Sequence, residues 1–341
     1  MWLTEREHVD TVTISQRTLL RDYELFYIQI VLLRHMYTEA ELCVLAAARG
    51  GLTVSALAEE LDRSVNYISE LVDRMEEKGL VHTTRSGKTK HVHRSSARAI
   101  ELYNQFVQQY PHIPFPELLG GATLRVLYHL DTPASPTDLA ENAGVHRSTV
   151  YRSLSPLQHR GVVYRDDGQF ALNNEFEELS TLAREFAHHQ NRNRIEGHTD
   201  TYTILWESLD EFLVQTDELI RTSAFHVTGP ERFQVYGLPL LARQRRYYLY
   251  SESKEEVSPE ELCYHMLVIG DDTRSRSYCL LLLGEVDIDR DELLDVAARY
   301  DVEDDVRSLL EYLDTDGETR TEMLPTWDEF RDLADEYGVT V

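Results

Sequence analysis

The stretch LAEELDRSVNYISELVDRMEEKGLV (57–81) decides the fold, because a second version of it stands later in the chain. It aligns without a gap with LAENAGVHRSTVYRSLSPLQHRGVV (139–163). The apolar positions agree, since Ile68, Val72 and Met75 fall on Val150, Leu154 and Leu157. Two gapless copies of one pattern predict a supersecondary unit that is built twice.

Each copy predicts the same order of elements. A helix comes first, then a short helix with a hydroxyl cap, then a turn and a longer helix with apolar residues at i, i+4 and i+7. A glycine ends the longer helix, and two strand-like stretches joined by a polar turn follow it. The first helices are expected at 40–49 and 118–130, and the caps are Thr53 and Ser135. Pro156 lies inside the second long helix and is expected to kink or shorten it, which would make the second unit the weaker DNA reader.

Helix, helix–turn–helix and hairpin is the element order of a winged helix–turn–helix domain. Through the two quoted stretches, the chain resembles the DNA-binding domains of MarR- and TrmB-type archaeal regulators. The resemblance implies a mainly α fold with small β wings, made of two tandem winged helix–turn–helix domains and followed by an α+β domain. It also implies that the long helix of each copy enters the major groove of DNA.

Four segments are expected along the chain. They are an N-terminal helical segment (1–37), a first winged helix–turn–helix domain (38–111), a second one (112–175) and an acidic α+β domain for sensing or oligomerisation (176–341). The apolar run at 19–37 is expected to pack on the first domain or to form a dimer contact. The prolines of PHIPFP (111–116) predict a stiff, extended joint between the two winged domains.

In the last segment, the sequence predicts mostly helix over residues 176–222, followed by short strands and then by closing helices. The strands are expected at 224–228, 245–251, 264–270 and 277–284, and the helices at 289–300, 302–313 and 326–338. Through FHVTGPERFQVYGLPL (225–240), this segment resembles the C-terminal domain of abortive-infection antitoxins, in which a winged helix also comes first.

The charge pattern points to nucleic acid in spite of a formal net charge of −26. The chain has only four lysines (Lys78, Lys88, Lys90 and Lys254), and such an acidic, lysine-poor composition resembles that of proteins from halophilic archaea. Against this background, residues 78–100 and 142–165 contain no Asp or Glu. Since phosphate repels carboxylate, the two acid-free runs indicate contact with double-stranded DNA. Use of the winged helices for dimerisation or protein binding stays open as an alternative.

The candidate DNA-binding residues lie on both long helices and on the first wing. On the first helix they are Arg63, Ser64, Asn66, Tyr67 and Ser69; on the first wing, Arg85, Lys88, Lys90, His91 and Arg94; and on the second helix, His146, Arg147, Ser148, Thr149, Tyr151 and Arg152. An Asn side chain can form two hydrogen bonds with adenine, and an Arg side chain can form two with guanine. Because Asp166 and Asp167 at the second wing tip would repel phosphate, the first domain is expected to offer helix and wing, and the second its helix only.

No residue pattern indicates catalysis, a metal site or a cofactor. Cys43, Cys263 and Cys279 are far apart in apolar stretches and are expected to be buried thiols. Asp287, Asp289 and Asp291 begin like a calcium loop, but Glu292 replaces the required glycine, so a helix N-cap is the better interpretation. His188, His189 and His198 are expected to be solvated instead of binding metal. Motifs for phosphate-binding loops and activated nucleophiles are absent.

The sequence therefore predicts a sequence-specific, DNA-binding transcriptional regulator that is cytoplasmic, has no membrane span and is not an enzyme. A homodimer and a protein or small-molecule partner of the C-terminal domain are further expectations. One alternative is an antitoxin-like autorepressor that counters a partner toxin enzyme. Another is an enzyme within residues 186–341 that the winged helices deliver to DNA.

Overall fold

The computed structural model describes residues 36–240 and 245–341. The chain divides into two compact units, and the boundary along the sequence falls between Gln190 and Asn191, within the helix Glu178–Glu196. Most of the described residues lie in helices, and the strands form small antiparallel sheets. This agrees with the expected mixture of α structure and small β elements. Most of the apolar run at 19–37 lies outside the described residues, so its expected packing stays a prediction.

The first unit contains both copies of the repeat. Its helices are α1 (Glu39–Ala47), α2 (Val54–Glu60), α3 (Val65–Glu77), α4 (Arg98–Gln109), α5 (Phe115–Leu118), α6 (Thr123–Tyr128), α7 (Pro136–Asn142) and α8 (Arg147–His159), and α9 (Glu178–Glu196) leads into the second unit. Its strands are β1 (Leu52–Thr53), β2 (Val81–Ser86), β3 (Thr89–Arg94), β4 (Val163–Asp166) and β5 (Gln169–Leu172). We call residues 38–111 the first repeat and residues 112–175 the second repeat.

Local chemistry explains where the helices of the first repeat begin. The hydroxyls of Thr53 and Ser64 accept hydrogen bonds from the backbone N–H groups of Ala56 and Tyr67, which satisfies donors that a helix start leaves open. Helix α3 then buries one apolar face, made of Ile68, Leu71, Val72 and Met75. Strand β3 pairs with both β1 and β2, so the hairpin after α3 becomes a three-stranded antiparallel sheet.

The second repeat has a similar element order with different local anchors. The single helix expected at 118–130 is wrong, since α5 ends at Leu118 and α6 begins at Thr123. Ser135 caps α7, and the guanidinium of the buried Arg125 donates to the carbonyl of Ala143 at 3.0–3.1 Å, which fixes the turn before α8. Helix α8 runs through Pro156 and has 13 residues, as α3 has. The expected shortening is therefore wrong. Pro156 lies on the exposed side of the helix, where water can satisfy the carbonyl that loses its partner.

The expected extended joint at PHIPFP is also wrong. The segment turns at residues 111–113 and enters α5 at Phe115, because a proline in the first helical turn loses no hydrogen bond. Ile113 and Phe115 are buried. A backbone hydrogen bond of 2.9 Å from the N–H of Gly121 to the carbonyl of Tyr37 ties the second repeat to the residue directly before the first repeat. The rings of Phe106 in the first repeat and Phe115 in the second lie edge to face with their centroids 6.0 Å apart, so the two repeats pack against each other instead of being held apart.

The second unit contains one antiparallel sheet and a layer of helices. Its strands are β6 (Tyr202–Glu207), β7 (Phe212–Thr216), β8 (Phe225–Thr228) and β9 (Arg246–Tyr250), in the order β6-β7-β9-β8. Its helices are α10 (Pro259–Ile269), α11 (Thr273–Glu285), α12 (Arg290–Ala297), α13 (Glu303–Asp314) and α14 (Trp327–Tyr337), and a 3-10 helix covers Gly229–Tyr236. Leu262, Cys263 and Leu281 belong to its main apolar core.

The structure confirms some of the expected elements of this unit and corrects others. The strands near 224–228 and 245–251 and the three closing helices are confirmed. The expected helix over 176–222 ends at Glu196, and β6 and β7 follow it. The expected strands at 264–270 and 277–284 are wrong, since both runs lie in the buried helices α10 and α11. A continuous apolar run fits a buried helix as well as a buried strand, and the caps Ser258 and Asp272 favour the helix.

Among the helices of residues 36–240 and 245–341, none is both long enough and apolar enough to span a bilayer.

Candidate nucleic-acid interface

The start of α8 is an exposed polar surface built around its cap. His146 precedes the helix, and its Nδ1 accepts a hydrogen bond of 3.2 Å from the backbone N–H of Ser148. The Ser148 hydroxyl lies 2.8 Å from the same Nδ1. An accepting Nδ1 carries no proton, so this arrangement requires the Nε2–H tautomer of His146. His146, Arg147 and Ser148 are all exposed, and a ligand that approaches this helix end can reach them.

Two arginines and two aromatic rings form a cluster one turn further along α8. The guanidinium carbons of Arg147 and Arg165 lie 6.0 and 5.6 Å from the ring centroid of Tyr151. Arg165 comes from β4 and also lies 5.4 Å from the ring centroid of Phe170. A hydrogen bond from Arg147, together with the charge of Arg165, lowers the pKa of the Tyr151 hydroxyl. Cation–π contacts thus hold helix and hairpin together and keep two positive charges at the surface.

Arg152 completes the positive surface of α8. It is exposed, and its Nη2 lies 3.3 Å from the hydroxyl of Thr149, which is half-buried. No Asp or Glu occurs anywhere in α8. The candidates predicted on this helix therefore lie on its first two turns, next to one another, with no carboxylate of the same helix among them.

The start of α3 presents polar groups but less positive charge. Arg63, Ser64, Asn66 and Tyr67 are exposed, and Ser69 is half-buried. The Ser64 hydroxyl serves as the helix cap, and Arg63 donates to the carbonyl of Asp62 next to it. Further along, α3 carries four acids: Glu70, Asp73, Glu76 and Glu77. The predicted residues are brought together at one helix end, but the rest of the exposed helix is acidic.

Three of the five residues predicted on the first wing contact the protein itself. Lys90 makes a 2.5 Å ion pair with Asp73. Nδ1 of His91 lies 3.2 Å from the carbonyl oxygen of Gly51. Arg94 donates to the carbonyls of Leu45 and Ala46 at 2.7 and 2.6 Å, at the end of α1, and burial lowers the pKa of its guanidinium. These contacts fix the hairpin to α1, β1 and α3.

The other two residues of the first wing remain at the tip of the hairpin. Arg85 and Lys88 are exposed on either side of Gly87, whose φ of 64° suits a tight hairpin turn. At the second wing tip, the corresponding turn carries the exposed Asp166 and Asp167. The first tip is positive and the second negative, as the sequence indicates.

Sequence reasoning missed Arg165 as a member of the α8 surface. Because Arg165 lies on a strand, its distance along the sequence from the other candidates does not follow a helical period. Only the folding of the hairpin brings it close to Tyr151. One signal was present, because the acid-free run that covers α8 extends to this residue.

Residues considered for other chemistry have structural roles. Asp289 is the N-cap of α12 and accepts from the backbone N–H groups of Asp291 and Glu292, which confirms that interpretation. Cys263 and Cys279 are buried as expected, whereas Cys43 is half-buried. His189 lies 3.0 Å from the carbonyl oxygen of Lys78 instead of being only solvated. Within residues 36–240 and 245–341, no group of His, Cys, Asp and Glu has the arrangement of a metal site.

Two family models match parts of the chain. Residues 121–175 match the HVO_A0261 N-terminal domain, and residues 222–339 match HVO_2833_C, C-terminal. Both are haloarchaeal families of uncharacterised domains. The first match covers most of the second repeat, from α6 through α7 and α8 to the β4–β5 hairpin. The second match covers most of the second unit. No curated protein and no solved structure matches the chain.

Proposed function

We propose that this chain is a sequence-specific transcriptional regulator that binds double-stranded DNA through two tandem winged helix–turn–helix domains, the first and the second repeat. A helical part, then a short helix, a turn, a longer helix and a β-hairpin, an order that is present twice, supports the domain assignment. The acidic second unit is the regulatory or oligomerisation part. Its surplus of acids disfavours contact with phosphate, so DNA contact is left to the repeats.

The observation that carries this proposal is the surface of α8. Recognition helices enter the major groove with their N-terminal residues nearest to the bases. That end of α8 carries Arg147, Ser148 and Arg152, all exposed, with no acid in the helix. Arginine can bind guanine through two hydrogen bonds and also binds phosphate, and the Ser148 hydroxyl can bond to either. In this proposal the second repeat therefore supplies the main reading helix, although the sequence favoured the first repeat for this part.

The first repeat takes a supporting part in this proposal. The start of α3 offers Asn66 and Tyr67, but its acids disfavour deep entry into a groove lined by phosphates. Its wing tip offers Arg85 and Lys88, which fit contacts to the backbone beside the reading helix. At ~1 M salt the Debye length is near 3 Å, so short hydrogen bonds carry more of the binding than long-range attraction.

Selection of DNA sequences from a random pool at molar KCl tests the proposal. We expect enrichment of one defined motif by the full chain. The R147A/R152A variant should lose the motif, because each lost arginine contact to a base is worth about 1–3 kcal/mol. R221A/R331A is the matched control, since it removes the same charge from exposed positions of the second unit. Absence of enrichment, or an unchanged motif in R147A/R152A, would overturn the proposal.

A further inference from the structure

The second unit contains a small pocket that the proposed DNA contacts do not use. It lies where the 3-10 helix at Gly229–Tyr236, the start of β9 and the adjoining ends of α10 and α11 meet. Its volume is about 140 Å³. Met266, Ile269, Tyr247 and Tyr278 provide apolar and aromatic walls, and Arg245 and Arg274 also line it. An apolar cavity of ~150 Å³ in another protein holds a benzene molecule, so this volume suits one six-membered ring.

Glycines at two points allow the walls of this pocket to approach each other. Gly229 has a φ of 65°, and a Cβ there would lie 2.9 Å from Ile269 and 3.0 Å from the Tyr247 ring. At Gly270, a Cβ would lie 2.2 Å from the Ser275 hydroxyl. Side chains at either position would force the lining residues to move. The pocket is therefore bounded by close packing, and its shape is defined by the fold of the second unit.

The charges of the lining residues favour an anion. Two acids also line the pocket, but both have partners: Glu231 accepts hydrogen bonds from Arg246 at 3.1–3.2 Å, and Asp272 caps α11 through the backbone N–H of Ser275 at 2.8 Å. Among the described residues, Arg245 and Arg274 have no ion-pair partner, and both are exposed. With Glu231 neutralised by Arg246, the lining carries the two positive charges of Arg245 and Arg274 against the one negative charge of Asp272, so its net charge is positive.

We propose that this pocket binds a small carboxylate with a single ring. The ring lies between the walls made by Tyr247, Tyr278 and Ile269, and the carboxylate accepts hydrogen bonds from Arg245 and Arg274. Guanidinium and carboxylate match in geometry, which gives such pairs specificity as well as strength. The site lies wholly within residues 222–339, the part that matches HVO_2833_C. This inference goes beyond the proposed function and stands independently of DNA binding.

Ligand-observed NMR titration of the full chain with benzoate, at constant KCl, tests the proposal. We expect saturable binding of benzoate, and no saturable binding of benzylamine, which has the opposite charge, or of acetate, which has no ring. Arg245→Gln and Arg274→Gln should each weaken benzoate binding by roughly tenfold, because each removes a charge-assisted hydrogen bond.

Arg331→Gln on α14 is the matched control and should bind benzoate as the unaltered chain does. The melting temperature of each variant without ligand verifies that the second unit is folded. Three results would overturn the proposal: no saturable benzoate binding, equal binding of benzylamine, or unchanged binding in both pocket variants.

Discussion

The two repeats have the same fold but opposite surface charge on their long helices. Helix α3 carries four acids and one arginine, whereas α8 carries two arginines and no acid. In the gapless alignment, Glu70 of the first helix falls on Arg152 of the second, while the buried Met75 falls on the buried Leu157. Apolar positions thus fix the shared fold, and the solvent-facing positions decide what each copy can bind.

The link between hairpin and long helix shows the same contrast. In the first repeat, Thr83 on β2 donates its backbone N–H and its hydroxyl to Glu76 at 2.8 and 2.9 Å. The aligned residue in the second repeat is Arg165, which lies over the Tyr151 ring. One link uses a carboxylate of the helix, and the other adds a positive charge to its surface. This difference favours the second repeat as the main DNA contact.

The largest effects are expected for the positions that the repeats share. Met75→Ala and Leu157→Ala each remove a fully buried side chain of the long helix. Each should lower the free energy of unfolding of the first unit by about 2–5 kcal/mol, since a cavity remains. Urea denaturation followed by circular dichroism measures this. A large loss at one position and none at the other would show that the two helices are not equivalent in the core.

An intermediate effect is expected at Pro156, where the repeats differ in backbone chemistry. Pro156→Ala should stabilise the first unit by up to about 3 kcal/mol, because alanine restores a helical hydrogen bond. The reciprocal change, Arg74→Pro in α3, should destabilise it by a similar amount or more. The same denaturation experiment applies to both. Destabilisation by Pro156→Ala would show that surrounding packing requires the proline ring.

The smallest effect is expected at Lys90. Its ion pair with Asp73 involves a carboxylate that is 60% exposed, so Lys90→Ala should cost at most about 1 kcal/mol. DNA affinity should change less than twofold, because the charge is already neutralised. R85A/K88A, which changes two exposed charges at the wing tip, should weaken binding several-fold. A larger loss of DNA affinity in Lys90→Ala than in R85A/K88A would assign the contact to the inner wing.

The sequence predicted most elements of both repeats, because caps, apolar spacing and terminal glycines are local signals; the exception is the helix expected at 118–130, which is divided into α5 and α6. It failed where a local pattern permits two structures. The prolines of PHIPFP are compatible with an extended joint and with the first turn of a helix. The unbroken apolar runs of α10 and α11 are compatible with a strand and with a helix. Burial of Ile113 and Phe115 decides the first case, and the caps Ser258 and Asp272 decide the second.

For the candidate site, the sequence located the charges but not their partners. Arg94 donates to carbonyls of α1, which are far away in the chain, and Lys90 pairs with a helix residue. Counting charges along the wing therefore overstated the number that face outward. It also left out Arg165, which only the hairpin geometry joins to the α8 surface.

Exchanging the aligned charges tests the central claim most directly. Arg152→Glu gives α8 the residue that α3 has, and Glu70→Arg makes the opposite change; both positions are exposed, so the fold should persist. Affinity for the selected DNA motif, measured by fluorescence anisotropy at molar KCl, should fall roughly 10- to 100-fold in Arg152→Glu. It should be unchanged or higher in Glu70→Arg. Binding by Arg152→Glu as tight as that of the unaltered chain would contradict the assignment of α8 as the main DNA-reading helix.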